Sequence, residues 1–254
     1  MRRLLCTLGI AVALLGSVRA DELVTLPTRA GVTLSYWHMP RPGAAATLLL
    51  LPGGAGGIGL RNGLPQSGNF LVRSRDAFAG HGFHVAVVGR PSDVPDMDTT
   101  FRTSAAHIED LRAVIDDLRA RSQMPVWLVG TSRGTVSAAA AASALGPDRV
   151  AGMVLTSSVT GFKQRGVPTL ALQAIRVPVL VLHHEKDACP SCAPHEVPLI
   201  LERLTHTPVK KLLWARDGGG VRGDPCEPFH WHGFIGMEEQ AVQSIVSWVR
   251  QPTP

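Results

Sequence analysis

Ser132 is the residue of this chain best placed to act as a nucleophile. It stands in the sequence G-T-S-R-G at residues 130–134, directly after the apolar run Val126–Val129 and before an alanine-rich segment. A G-x-S-x-G sequence between a buried strand and a helix forms a sharp turn that exposes the serine hydroxyl at the edge of a sheet. Because the turn leaves little room, glycine is favoured on both sides of the serine. The pattern predicts a serine that attacks acyl carbons.

Two later segments contain the side chains that such a serine needs. An acyl-transfer serine requires a base, an acid that orients the base, and donors for the oxyanion. The apolar run Val179–Leu182 is followed by the sequence H-H-E-K-D, which includes Glu185 and Asp187, and F-H-W-H-G-F at residues 229–234 contains His230 and His232. Each residue type is common on protein surfaces, so only position can select among them.

Apolar runs alternate with segments of helical periodicity along the chain. The predicted strands are Leu23–Leu26, Gly31–Met39, Thr47–Leu51, Phe83–Val88, Val126–Val129, Val150–Leu155, Val179–Leu182 and Lys211–Trp214. The predicted helices are Leu71–Gly80, Thr103–Arg121, Thr135–Leu145 and Glu238–Arg250. Strands that alternate with helices predict an α/β protein with a mostly parallel sheet covered on both faces.

The order of these elements, with G-T-S-R-G after a middle strand, resembles the α/β-hydrolase family over residues 21–254. The resemblance implies the α/β-hydrolase fold, with a mostly parallel eight-stranded sheet and helices on both faces. Many members insert a lid domain at the position of Thr156–Val177. That segment is short here, with room for about one helix, so we expect a minimal lid or none.

The resemblance also implies a catalytic triad in the chain order serine, acid, histidine. Ser132 is the expected nucleophile, and Asp187 is the expected acid because related hydrolases place it a few residues after the strand. His232 is the expected base because glycine follows it, as in the histidine loop of related hydrolases. Glu185 and His230 remain the nearest alternatives, and Asp217 and Asp224 are later acidic candidates.

Two backbone N–H groups are expected to form the oxyanion hole. One belongs to Arg133, the residue after the nucleophile. The other is expected from the glycine-rich sequence P-G-G-A-G-G at residues 52–57, with Gly54 favoured by analogy and Ala55 as the alternative; proline occupies the position that is usually histidine. A phosphate-binding P-loop is excluded because no Gly-Lys-Ser/Thr follows. The favoured interpretation of the Arg133 side chain is an inward position under the turn, where it would need a carboxylate partner and Asp93 is one candidate; recognition of an acidic substrate group is the alternative.

Three cysteines lie beyond the N-terminal segment, namely Cys189, Cys192 and Cys226. Similar hydrolases carry Asp-x-Cys in one loop and Cys-Glu before the histidine segment, which implies a Cys189–Cys226 disulfide. A zinc site of three cysteines and a histidine is a second interpretation. A redox role for the C-P-S-C sequence at residues 189–192 is a third.

The first 20 residues have the pattern of a secretory signal peptide. Arg2 and Arg3 precede the apolar stretch Leu4–Leu15, and V-R-A at residues 18–20 is a small-x-small cleavage sequence. Cleavage after Ala20 would lower the formal charge from +5 to +2, since Arg2, Arg3 and Arg19 are lost. Nucleic-acid binding is therefore not indicated, and we expect a periplasmic or secreted protein without a stable membrane anchor. The oligomeric state is not predicted.

These patterns predict a serine hydrolase of small-molecule carboxylic esters, with amides or thioesters as further substrates. The mechanism needs no cofactor or metal. A peptidase of the same fold is the leading alternative, and a catalytically silent binding protein is another. Four aromatic side chains could line an acyl pocket, although ordinary packing is the stronger interpretation for each: Phe101, Phe162, Phe229 and Phe234.

Overall fold

The computed structural model describes residues 20–254, so the expected signal peptide lies, except for Ala20, outside the described residues. The main sheet has eight strands: β1 Glu22–Arg29, β2 Val32–Met39, β3 Thr47–Leu51, β4 His84–Pro91, β5 Val126–Thr131, β6 Gly152–Thr156, β7 Val179–His184 and β8 Lys210–Ala215. Their spatial order is β1-β2-β4-β3-β5-β6-β7-β8. In this sheet, β2 pairs antiparallel with β1 and β4, and the other neighbouring strands are parallel. The predicted sheet is confirmed.

Seven α-helices are described: α1 Phe70–Arg73, α2 Arg75–Gly80, α3 Thr99–Arg102, α4 Ala105–Ser122, α5 Arg133–Leu145, α6 Pro198–Arg203 and α7 Glu238–Arg250. The helix predicted over residues 71–80 is interrupted at Ser74, which ends α1 and begins α2. Helices α3 and α6 were not predicted, because four to six residues are too few to show a helical period.

The sheet separates two apolar cores. Alternate residues of β3 face opposite sides, so Leu49 and Leu51 pack with α4, α5 and α6, while Leu48 and Leu50 pack with α1, α2 and α7. A strand covered on both faces is apolar at every position. This explains the continuous run of leucines that the sequence shows at residues 48–51.

The segment between β6 and β7 spans residues 157–178. It contains three short 3-10 helices, Phe162–Gln164, Val167–Thr169 and Leu172–Ala174, instead of the single helix that its length suggested. Val167 and Leu172 are fully buried in the main core, so the segment packs against the sheet. Among the described residues, no helix has the length and apolar character needed to cross a bilayer.

Candidate active site

Ser132 lies in a strained turn between β5 and α5. Its φ of 51° and ψ of −128° place a non-glycine residue in a sparsely populated region. A Cβ atom on Gly130 would lie 2.4 Å from the Gly134 carbonyl oxygen, and one on Gly134 would lie 1.9 Å from the Leu51 carbonyl oxygen. Both glycines are therefore required by close backbone approach, which is the physical basis of the G-x-S-x-G pattern here.

Asp187 and His232 form a buried hydrogen-bonded pair. Asp187 follows the C-terminal end of β7, and its Oδ2 accepts a hydrogen bond from His232 Nδ1 at 2.8 Å. The other carboxylate oxygen accepts from the backbone N–H of Cys189 at 3.0 Å. Asp187 and His232 are only 3% and 4% exposed. Since a carboxylate only accepts, the His232 proton lies on Nδ1 and its Nε2 is left as an acceptor.

His232 lines the same cavity as Ser132, and within residues 20–254 its Nε2 is unpartnered. This nitrogen is buried and has no hydrogen-bond partner among the described residues. Ser132 and His232 both line a cavity of about 240 Å³, together with the glycine-rich loop and Phe70. No Ser132–His232 hydrogen bond is formed in the described part of the chain, and such bonds often tighten only when substrate binds. The arrangement provides an acceptor for a serine proton within one cavity.

Among the described residues, the alternative acids and the alternative histidine do not form such a pair. Glu185 forms a salt bridge with Arg216 at 2.7 Å on the surface. Asp224 accepts a hydrogen bond from the backbone of Cys226, and the Asp217 backbone carbonyl accepts one from His184. The ring of His230 packs edge-on against Trp231, with a centroid distance of 5.0 Å. Of these candidates, the structure brings only Asp187 and His232 together.

Two residues that sequence reasoning missed hold the histidine loop. Ser157, after β6, donates from its hydroxyl to the His232 carbonyl oxygen at 2.7 Å. Arg73 at the end of α1 donates to the Gly233 carbonyl oxygen at 2.5 Å and pairs with Glu238 of α7 at 3.0 Å. Ser157 has a positive φ of 44°, and no sequence motif marks either residue as part of the site.

His183 lies beneath the acid loop as a neutral side chain. It is fully buried, and burial lowers its pKa to about 4. Its Nδ1 accepts from the backbone N–H of Ser158, and its Nε2 lies 3.0 Å from the Cys192 carbonyl oxygen and 3.5 Å from Asp187 Oδ2. A neutral ring with Nε2 protonated can accept from Ser158 at Nδ1 and donate to the Cys192 carbonyl oxygen at Nε2. These bonds support the backbone that carries Asp187.

The glycine-rich loop brings free backbone N–H groups beside Ser132. Gly56 donates to the Gly53 carbonyl oxygen at 3.0 Å, which closes a turn with Gly54 at a φ of 57°. A positive φ at the first central position is typical of a type II′ turn and favours glycine. Among the described residues, neither Gly54 nor Ala55 donates its N–H to another group, and both line cavities next to Ser132. The N–H of Arg133, at the start of α5, is equally free.

The expectation for the Arg133 side chain was wrong. The side chain points outward with 44% exposure, and its guanidinium lies 3.6 Å from Asp96. Asp93 instead pairs with Arg29 at 2.9 Å. An inward arginine would collide with a helix packed tightly on the sheet, since Gly134 already touches the backbone of Leu51. Arg133 lines a second cavity of about 440 Å³ that also borders Ser132.

Cys189 and Cys226 are joined by a disulfide that links the acid loop to the segment before the histidine loop. Cys192 is free and buried. Its sulfur, that of Cys189 and a ring nitrogen of His232 lie within 4.8 Å of one another, but Cys189 is already oxidised and supplies no thiolate. Burial raises the pKa of the Cys192 thiol well above its usual value, and the nearby Asp187 carboxylate acts in the same direction. The geometry therefore favours the disulfide over zinc ligation, and Cys189–Cys192 is not the bonded pair.

The four phenylalanines that were considered for an acyl pocket do not line the cavities beside Ser132. Phe234 is fully buried and packs against Phe70 at 4.9 Å, and Phe162 is 53% exposed. Phe101 packs against His107, and Phe229 lies under Arg222. Phe70, which sequence reasoning did not single out, is the aromatic residue of the smaller cavity.

No protein-family model and no curated protein matches this chain. Solved structures do match. A cold-adapted esterase from an Arctic intertidal metagenomic library is 19% identical, with 92% of this chain and 94% of that chain covered and a TM-score of 0.62. A Pyrococcus furiosus esterase is 14% identical over 91% of each chain, with a TM-score of 0.67.

A Xanthomonas campestris α/β serine hydrolase without a lid is 20% identical, with 92% of this chain and 97% of that chain covered and a TM-score of 0.61. These likenesses extend over nearly the whole of each chain, and at such identities they establish the fold. The chain therefore has the fold of the α/β serine hydrolases.

Proposed function

We propose that this protein is a serine hydrolase that cleaves small-molecule carboxylic esters through an acyl-enzyme intermediate. The observation that carries the proposal is the buried Asp187–His232 pair, whose histidine keeps Nε2 unpartnered among the described residues and lines the same cavity as Ser132. The esterases among the structural neighbours support ester substrates. The reaction needs no metal or organic cofactor, because serine, histidine and backbone donors supply all its steps.

In the first half-reaction, Ser132 Oγ attacks the acyl carbon while His232 Nε2 takes the hydroxyl proton. The negative charge that develops on the carbonyl oxygen is stabilised by the N–H groups of Arg133 and Gly54, with Ala55 next to them. His232 then gives its proton to the leaving alkoxide, and the acyl group remains on Ser132. Asp187 stabilises the cationic imidazole and holds Nδ1 protonated.

In the second half-reaction, water takes the place of the alcohol. His232 Nε2 removes a proton from the water, whose oxygen attacks the acyl carbon bound to Ser132. Collapse of the second tetrahedral intermediate breaks the acyl–Oγ bond, and His232 returns the proton to the serine oxygen. The products are a carboxylic acid and the unchanged enzyme.

A fluorophosphonate probe tests this proposal directly, because it labels only an activated serine. We expect the probe to label Ser132 and to abolish hydrolysis of p-nitrophenyl acetate. Ser132→Ala should remove both labelling and activity, whereas Ser191→Ala, in the same group of loops, should keep both. A wild-type protein that is neither labelled nor active on esters would be a binding protein. Preference for aminoacyl p-nitroanilides would indicate a peptidase.

We further propose that the protein is exported and that residues 21–254 form its single mature domain. The N-terminal signal pattern supports export, and the Cys189–Cys226 disulfide is typical of oxidising compartments. The intact mass of the exported protein should correspond to a chain that begins at Asp21. Retention of residues 1–20 would contradict the proposed cleavage.

A further inference from the structure

Arg102, at the end of α3, is a buried cation that the proposed mechanism does not use. It is 1% exposed, and its guanidinium is enclosed between the glycine-rich loop and α5. Burial lowers its pKa to about 9, so it remains charged at neutral pH. Burying a charge is unfavourable, and replacing a buried charge by a well-packed apolar side chain is often neutral or stabilising. Stability alone is therefore a poor explanation for an arginine here.

The hydrogen bonds of Arg102 are directed at the oxyanion loop, defined here as residues 52–56. Its Nη2 donates to the carbonyl oxygens of Pro52 at 3.1 Å and Gly54 at 3.3 Å. Its Nη1 donates to Ser137 Oγ on α5 at 2.9 Å, and its Nε donates to the Met97 carbonyl oxygen at 2.8 Å. One planar group thus connects the oxyanion loop to the helix that begins beside the nucleophile.

Fixing these carbonyl groups also fixes the N–H groups of the loop. A trans peptide is planar, and its N–H points opposite to its C=O. Arg102 holds the Pro52 and Gly54 carbonyls, while Gly56 N–H holds the Gly53 carbonyl between them. The directions of the N–H groups at residues 53, 54 and 55 are therefore set. The three glycines of this loop place little restriction of their own on these directions.

We propose that Arg102 is a positioning residue, which holds the oxyanion loop so that its N–H groups are aimed at the developing oxyanion. This inference rests on the proposed ester hydrolysis. Arg102 does not itself line the cavities beside Ser132. It acts through the backbone of Pro52 and Gly54. Preorganised donors favour the transition state over the ground state, so the loss of Arg102 should lower kcat much more than it changes KM.

The test compares Arg102→Met and Arg102→Lys with Arg75→Met. Arg75 also donates to a backbone carbonyl, that of Val72, but lies on α2 outside the oxyanion loop. For p-nitrophenyl acetate, we expect kcat to fall about 10²-fold in Arg102→Met, the size expected when one oxyanion donor is lost. KM should change less than about threefold. Lysine keeps the positive charge but lacks the planar guanidinium with its several N–H donors, so Arg102→Lys should restore only part of kcat. Arg75→Met should match the wild type.

A second measurement does not depend on activity. Backbone ¹⁵N order parameters of residues 53–55 should fall from about 0.85 to below about 0.6 in Arg102→Lys and remain unchanged in Arg75→Met. Order parameters that stay at the wild-type value would overturn the inference, as would a folded Arg102→Met protein with normal kcat. An inactive, unlabelled wild-type protein would overturn the proposed function instead, and the order parameters would still decide the role of Arg102.

Discussion

At the scale of single residues, the site depends on one polar pair made by side chains 45 positions apart in sequence. Asp187 and His232 meet because the loop after β7 and the loop before α7 lie at the same edge of the sheet. This edge, at the carboxyl ends of the strands, is also where ligands of open α/β sheets bind. Ser157 and Arg73 then hold the backbone that carries the imidazole.

The two histidines of the loop provide the first prediction. His232→Ala should reduce kcat for p-nitrophenyl acetate by at least about 10⁴-fold, since it removes the base that takes the serine proton in the proposed mechanism. His230→Ala should retain activity within about tenfold, because His230 makes a packing contact with Trp231. Steady-state kinetics of both variants checks this, and the opposite ranking would assign the base to His230.

At the scale of the elements, the disulfide holds the acid loop against the histidine segment. Cys189 is two residues beyond Asp187, and Cys226 is six before His232. Their bond therefore closes a loop that contains β8 and both of its flanking segments. Such a link restricts the unfolded chain more than the folded one.

Replacing both bonded cysteines with alanine should lower the free energy of unfolding by about 3–4 kcal/mol, the loss expected for a bridge that closes a loop of this length. Urea unfolding measures the change, and Cys192→Ala, which keeps the bridge, is the matched control. Equal stability of the double variant and the control would show that the bridge does not stabilise the fold.

The free thiol gives an independent check on the pairing. The mature protein should release one thiol to Ellman's reagent after denaturation and almost none before it, because Cys192 is 1% exposed and burial raises its pKa. Three thiols under denaturing, non-reducing conditions would mean that the bridge does not form. Zinc found with the purified protein would support the metal interpretation instead.

At the scale of the whole molecule, two histidines in separate parts of the core are buried without charge. Burial lowers the pKa of His107 to about 3 and that of His183 to about 4. An unfolded histidine binds a proton near pH 6.5. Between pH 6.5 and 4 the unfolded chain therefore binds protons that the folded chain does not, and the folded state loses stability as the pH falls.

We expect the free energy of unfolding to fall with decreasing pH by up to about 1.4 kcal/mol per pH unit for each of these histidines. Urea unfolding at pH 7, 6 and 5 measures this slope. His183→Gln should make the slope shallower by about half of the combined contribution, whereas the same change at exposed His195 should leave it as it is. An identical slope in all three proteins would mean that His183 does not contribute.

The size of the site leads to a prediction about substrates. The smaller cavity beside Ser132, about 240 Å³, lies below the range typical of pockets for drug-sized ligands. We expect kcat/KM for p-nitrophenyl esters to be highest at two to four acyl carbons and to decline for octanoate and palmitate. A series of graded chain lengths tests this, and a maximum at the long esters would indicate that the acyl chain occupies another surface.

Local sequence patterns were enough to predict the order of strands and helices and the turn at Ser132. Continuous apolar runs indicate that a strand is buried on both faces. The glycines of G-T-S-R-G indicate a close backbone contact that leaves no room for a Cβ atom. Short helices such as α3 and α6 were not predicted, because they are too short to show a helical periodicity in the sequence and depend on packing instead.

Only the tertiary structure decided which side chains meet. The sequence offered several acids and histidines, and chain folding placed Asp187 beside His232 while Glu185 was paired with Arg216 on the surface. It also turned the Arg133 side chain outward and enclosed Arg102 beneath the oxyanion loop, a difference between two arginines that no local pattern predicted. Secondary structure follows from neighbours along the chain, whereas a polar contact depends on the distance between segments that only the packed sheet brings together.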